Sequence, residues 1–225
     1  MRTLFLALVA LLGLEASAGA SVVTFTSSSA FNAATSGDSF TVEQYASGTN
    51  GQLIASLSTF NGLSYNFIAG PSATLTGGII TNQFDSFSGL SLGGRQSGGA
   101  QFFFGGDSVT VTFATPVTAV GVFSNVNRNS GNYDMNTPVG SVSTGSATYD
   151  TLTFVFDGIT STTPFSTITL VSENTSIGVY NIPEIEFAST TMVPPVPLPG
   201  ALPLFATGLA GLGLLGWRRK KAAAG

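Results

Sequence analysis

The chain has 225 residues with neither cysteine nor histidine, a formal net charge of −4, and charged side chains at only 8% of positions. Without those two residue types there is no disulfide, Ser-His-Asp triad, Cys-His pair or ordinary zinc site, so packing alone must hold the fold. Between positions 21 and 190 the only bases are Arg95 and Arg128, set against ten acids, and this net of −8 repels nucleic-acid phosphates.

In chain order, the first element is a targeting signal. Arg2 supplies a positive start, Leu4 to Leu14 an apolar run, and Ala16-Ser17-Ala18 and Ala18-Gly19-Ala20 two small-x-small sites. The pattern predicts a signal peptide over residues 1–20, cleaved after Ala18 or Ala20. As an uncleaved anchor the run is too short: 11 helical residues cover about 17 Å of a bilayer core of roughly 30 Å.

Residues 21–190 are enough for one domain with a sizeable core. Helix formers are scarce there, Ser, Thr, Gly, Val, Phe and Asn dominate, and turn residues recur about every 8–12 positions, the pattern of all-β folds. Strands are predicted at Val22–Thr26, Phe40–Gln44, Leu63–Ile68, Gln101–Phe104, Val117–Phe123, Thr167–Val171 and Val179–Phe187, with one short helix at Ser29–Ala34, capped by serine and anchored by Phe31. Alternation is clearest at Val109, Val111 and Phe113, which face a core while Thr110 and Thr112 face solvent. Leu152, Phe154 and Phe156 form a second apolar face, opposite Thr151 and Thr153. The glycine cluster Gly89 to Gly99 lacks the Lys-Ser/Thr ending of a P-loop and reads as a flexible surface loop. Together these elements predict an all-β fold, an antiparallel two-sheet sandwich of jelly-roll type with one short helix.

After the body comes a proline-rich box, residues 191–200, ending Val196-Pro197-Leu198-Pro199-Gly200. Prolines 194, 195, 197 and 199 fix φ and hold the segment extended, near polyproline II, where a membrane-surface protease can reach it. Residues 201–217 carry no charge and as a helix reach about 25 Å, just enough for a transmembrane span. Arg218, Arg219, Lys220 and Lys221 follow at once. By the positive-inside rule they remain cytoplasmic in the tail, residues 218–225, and the body is exported.

The proline box, the Gly/Leu-rich span and the basic tail resemble the PEP-CTERM class of bacterial sorting tails, in its Val-Pro-Leu-Pro-Ala variant. Leu198 stands where the main pattern has glutamate, and Gly200 where the variant has alanine. The body resembles ectodomains of that class more loosely, through Ser29-Ala30-Phe31-Asn32-Ala33-Ala34, the Thr110-Val111-Thr112-Phe113 strand with Pro116 to Gly121, and the closing strand Tyr180 to Phe187. The resemblance implies a Gram-negative host that makes extracellular polysaccharide, Sec-dependent export and a precursor held transiently in the inner membrane. It further implies cutting near the box by a membrane exosortase, then release or transfer to the cell surface; a permanent anchor is the alternative fate of the same tail.

Chemistry in the body is limited to carboxylates. A Ser-Lys dyad fails because the only lysines, Lys220 and Lys221, lie beyond the span. Glu184 and Glu186, two apart on a strand, share one face; with a partner across a groove they would suit glycoside hydrolysis, but Ile185 and Phe187 opposite make them the solvated side of an ordinary half-buried strand. Asp107, Asp134, Asp150 and Asp157 stand beside turn residues and read as turn caps, without Asp-x-Asp-x-Asp-Gly calcium spacing. No catalytic, metal or cofactor residue is therefore assigned. Two functions remain: a non-enzymatic, adhesive or carbohydrate-associated module of the extracellular matrix, and a secreted glycan-active enzyme using carboxylates alone. Sugar platforms in the body would come from tyrosines, since Trp217, the one tryptophan, lies in the span.

Overall fold

The computed structural model describes residues 21–71, 74–84, 86–127, 129–131, 133–143, 147–149, 153–172 and 179–189. The signal peptide, the proline box, the membrane span and the basic tail lie outside the described residues, as do Asp150, Thr151 and Leu152.

The body is almost wholly β. After β1 (Val22–Phe25) comes the helix α1 (Ser28–Ala34), then β2 (Thr41–Glu43), β3 (Leu53–Ile54), β4 (Ser58–Phe60), β5 (Leu63–Ile68) and β6 (Leu75–Thr81). The chain continues through β7 (Ser91–Gln96), β8 (Phe103–Phe104), β9 (Ser108–Asn127), β10 (Asn129–Gly131), β11 (Tyr133–Thr137) and β12 (Gly140–Ser143). It closes with β13 (Ala147–Tyr149), β14 (Thr153–Ser172) and β15 (Val179–Ala188). Among the described residues, thirteen strands form one antiparallel network whose central path runs β12-β11-β14-β9-β15-β7-β6-β3, and β10 pairs with β13 apart from it.

Two long strands organise the network. The first part of β9, Ser108 to Phe113, pairs with β5, and its later part, Ala119 to Asn127, pairs with β15. Along its other edge β9 is lined by β14, whose register shifts twice between Thr160 and Thr167. Such shifts bend a strand and redirect its side chains. Apolar residues from both parts of β9, including Val109, Val111, Phe113, Val120, Val122 and Val126, join one core with Tyr65, Ile80, Leu92, Met135, Ile159, Ile168, Leu170 and Ile182. The alternation read at Val109, Val111 and Phe113 holds: all three are buried while Thr112 is exposed, and the half-buried Thr110 shares a 2.9 Å hydroxyl hydrogen bond with Thr169.

A smaller aromatic core lies around the helix. Phe31 is fully buried against Phe25, Phe40 and Phe156 at centroid distances of 5.5, 5.6 and 5.5 Å. The sheet receives this ring because Gly158 and Gly121 are register partners on neighbouring strands. A Cβ on Gly158 would stand 2.8 Å from both Phe31 and Phe156, so side chains larger than hydrogen are excluded there. The helix falls where the sequence places it, but Ser27 at its N-cap makes no capping bond and shares a 2.9 Å hydrogen bond with the Ser29 hydroxyl instead.

The glycine cluster departs from its sequence reading. Ser91 to Gln96 form β7, an internal strand between β6 and β15, and only Arg95 of the six is exposed. Here the glycines serve close packing: a Cβ on Gly93 would meet the Gln101 carbonyl oxygen at 2.2 Å, and one on Gly94 would meet Leu75 and Phe103 at 2.8 Å.

Candidate functional site

The glutamate pair sits near the end of β15. Pro183, which has no N–H to offer a ladder, falls within the register shift between Asn181 and Glu184. Beyond it Glu184 pairs with Phe123 and Glu186 with Gly121, so the two acids share a strand face as predicted. They are not its solvated side. β15 is bordered by β9 on one edge and by β2, β7 and β8 on the other, and Glu186 is only 9% exposed. Glu184 is half-buried, and its Oε2 accepts a hydrogen bond from Gln44 Nε2. Gln44 is held in turn through its carbonyl, which accepts from Ser88 Oγ at 2.5 Å. Glu186 Oε1 has no hydrogen-bond partner among the described residues. A Cβ on Gly121 would come within 2.7 Å of that oxygen and 2.8 Å of Phe156 Cζ, so glycine leaves the room that the carboxyl occupies. Burial, then the charge of Glu184, pushes the Glu186 carboxyl above the usual range, which favours its protonated form.

The aspartates divide. Asp107 does cap a turn: its Oδ2 accepts the Phe104 N–H at 3.0 Å and Gln96 Nε2 at 2.9 Å, and its Oδ1 accepts the Gly70 N–H at 2.8 Å. Asp157 does not. It lies inside β14 opposite Val122, is 3% exposed, and has no partner for Oδ1 among the described residues. Burial, reinforced by Asp134, raises its carboxyl to about 8. Asp134 likewise lies within a strand, β11. Among the described residues no three acidic side chains come close enough together to hold a metal ion.

A second candidate lies on the surface. Phe154 and Phe156 share a face of β14, but only Phe156 is buried; Phe154 is 42% exposed, contrary to the expectation that both lie in the core. The reason is cover. Phe31 of the helix packs on Phe156, whereas Phe154 meets Phe87, itself 49% exposed, in a stack with centroids 5.1 Å apart. Phe87 stands edge-on to Phe123 at 5.0 Å, and Phe123 packs on Phe156 at 4.9 Å. The exposed pair is therefore the outer end of an aromatic row rooted in the smaller core. Phe87 was not singled out in the sequence, although a large apolar ring within Ser86-Phe87-Ser88-Gly89 was the available signal.

The third candidate is a surface hollow of about 340 Å³ beside the turn that follows β7, lined by Thr76, Arg95, Gln96, Ser97 and Gln101 among others. Arg95 opposes Gln101 across an isolated β-bridge, and its carbonyl accepts a 2.9 Å hydrogen bond from Thr76 Oγ1. Its guanidinium makes no ion pair or side-chain hydrogen bond to a described residue. Behind it Gln96 is buried and fully committed, donating to the Phe102 carbonyl and Asp107 and accepting from Thr74 Oγ1 at 2.7 Å. Reading the glycine cluster as a loop hid this hollow, because its wall exists only once β7 is a strand.

No protein-family model matches the chain, and no curated protein matches it.

Proposed function

We propose that the chain is an exported bacterial protein of the cell surface or extracellular matrix, whose tail is processed by an exosortase-type membrane enzyme and whose body contacts carbohydrate without catalysing a reaction. The address rests on the tail: a proline-rich box, an uncharged span and four consecutive bases in that order. The role of the body rests on one observation, the stacked and half-exposed Phe87–Phe154 pair, a fixed apolar platform of the kind that packs against the C–H face of a sugar ring. In this reading the bent strands β9 and β14 fold the network over its core as a two-layer, jelly-roll-like sandwich, supported by the change of partner along β9.

A glycan-active enzyme is the second reading, favoured by the contrast between Glu186, whose carboxyl burial pushes above the usual range, and the hydrogen-bonded Glu184. Against it, glycosidase carboxyls stand about 5–10 Å apart across a groove, while these stand two apart on one face of a single strand and Glu186 is only 9% exposed.

Replacing Pro197 and Pro199 by alanine tests the address. Preset φ lowers the cost of ordering the box on the enzyme, so the double variant should be processed slowly or not at all and accumulate at full length in the inner membrane. Fractionation and intact-mass measurement in the native host report this. Release at the wild-type rate and mass would reduce the box to a spacer.

A further inference from the structure

We propose that the hollow beside Arg95 is a subsite for a carboxylate-bearing sugar unit, a hexuronate within an acidic polysaccharide. The inference rests on the carbohydrate-contacting reading and specifies its ligand. The volume, about 340 Å³, is at the small end for ligand sites and suits one sugar ring. The groups left available are chiefly donors. The Arg95 guanidinium is uncommitted among the described residues, and Gln101 has its amide oxygen occupied by Thr81 Oγ1 at 2.6 Å, which leaves its NH2 to donate. Ser97, exposed at the rim, adds a hydroxyl that can donate or accept.

Among the described residues no acidic side chain lines the hollow, although acids outnumber bases ten to two in the body. The carboxylate bonded to Gln96 of the lining, that of Asp107, is fully buried and also accepts from Gly70 and Phe104. A lone guanidinium near the end of β7, with no acid among the described residues that line the hollow, fits a planar carboxylate through its paired donors. The hydroxyl and amide groups beside it match ring hydroxyls. A neutral sugar would leave the guanidinium without a charge partner, whereas inorganic phosphate could accept from Arg95, Gln101 and Ser97 alike, so it is the control that tells a uronate subsite from a general anion site.

Titration calorimetry on the full-length chain, with a defined oligoglucuronate, its carboxyl-reduced neutral counterpart and inorganic phosphate, tests the assignment. Oligoglucuronate should bind, weaken as salt is added, and lose roughly tenfold or more in affinity on Arg95→Gln or on carboxyl reduction, with Arg95→Lys intermediate. Arg95 is exposed, so an unchanged unfolding midpoint will show that these variants fold. Equal binding of the acidic and neutral oligosaccharides, unmoved by Arg95→Gln, overturns the uronate subsite and leaves carbohydrate contact standing. Phosphate binding as tightly as oligoglucuronate also overturns it, as an unselective anion site. Failure of both oligosaccharides to bind removes the carbohydrate reading itself.

Discussion

Asp107 and Asp157 are the same side chain buried to nearly the same degree, in two regions that treat it differently. At the corner where β8 turns into β9, Asp107 is 0% exposed and receives three donors from three segments of chain. In the middle of β14, Asp157 is 3% exposed, and its Oδ1 has no partner among the described residues. The corner has irregular backbone whose N–H groups are free to converge on a carboxylate. The centre has fewer to offer, because the backbone around Asp157 is paired into the ladders that β14 makes with β9 and β1. Burial alone does not decide whether an acid's oxygens are satisfied; the supply of donors does.

The largest test of this contrast is Asp107→Ala. It leaves the half-buried Gly70 and Phe104 N–H groups and one of the two N–H donors of the buried Gln96 amide without acceptors, and at about 1–3 kcal/mol for each orphaned donor the body should lose about 3–6 kcal/mol in chemical denaturation. A loss below about 1 kcal/mol would mean that the corner does not depend on its carboxylate.

Next comes the residue adjoining Asp157. Phe156→Ala should cost about 3–5 kcal/mol by opening the smaller core, and by admitting water it should bring the Glu186 carboxyl back toward its ordinary range, as followed by carboxyl NMR. Phe154→Ala, on the same face but half-exposed, should cost about 1 kcal/mol or less. Equal losses would contradict the different covering of the two rings.

The smallest effect is one of pH. Asp157 is raised from 3.8 to about 8, so between those values the folded state retains a proton that the unfolded chain has lost. Stability contributed by this group is therefore greatest below about pH 4, falls as pH rises, and levels off above about pH 8. Glu186 acts in the same direction. Asp157→Asn should flatten the profile and leave the variant more stable than the parent at alkaline pH. An unchanged slope in urea denaturation across that range would show that Asp157 does not hold the proton.

Legibility in the sequence followed how local each feature is. Val109, Val111 and Phe113 were assigned correctly because strand alternation is written within a few residues. The same rule placed Glu184 and Glu186 on one face but could not say what lies over it; the cover over the smaller core comes from Phe31 and Phe40, far away in the chain. Of the proposed sites, the exposed pair joins Phe87 to Phe154 and the hollow joins Thr76 to Arg95 and Gln101, so neither has a contiguous signature.

The amino-acid sequence by itself determined the all-β character of the body, its single helix anchored by Phe31, and the absence of histidine and cysteine chemistry, because composition and short-range period carry that information. Only the tertiary structure decided that Gly93 and Gly94 belong to an internal strand, that Phe154 reaches solvent while Phe156 does not, and that Asp157 and Glu186 lie out of water. Each of those outcomes depends on which distant segment packs against the residue, and no local pattern encodes a neighbour supplied from elsewhere in the chain.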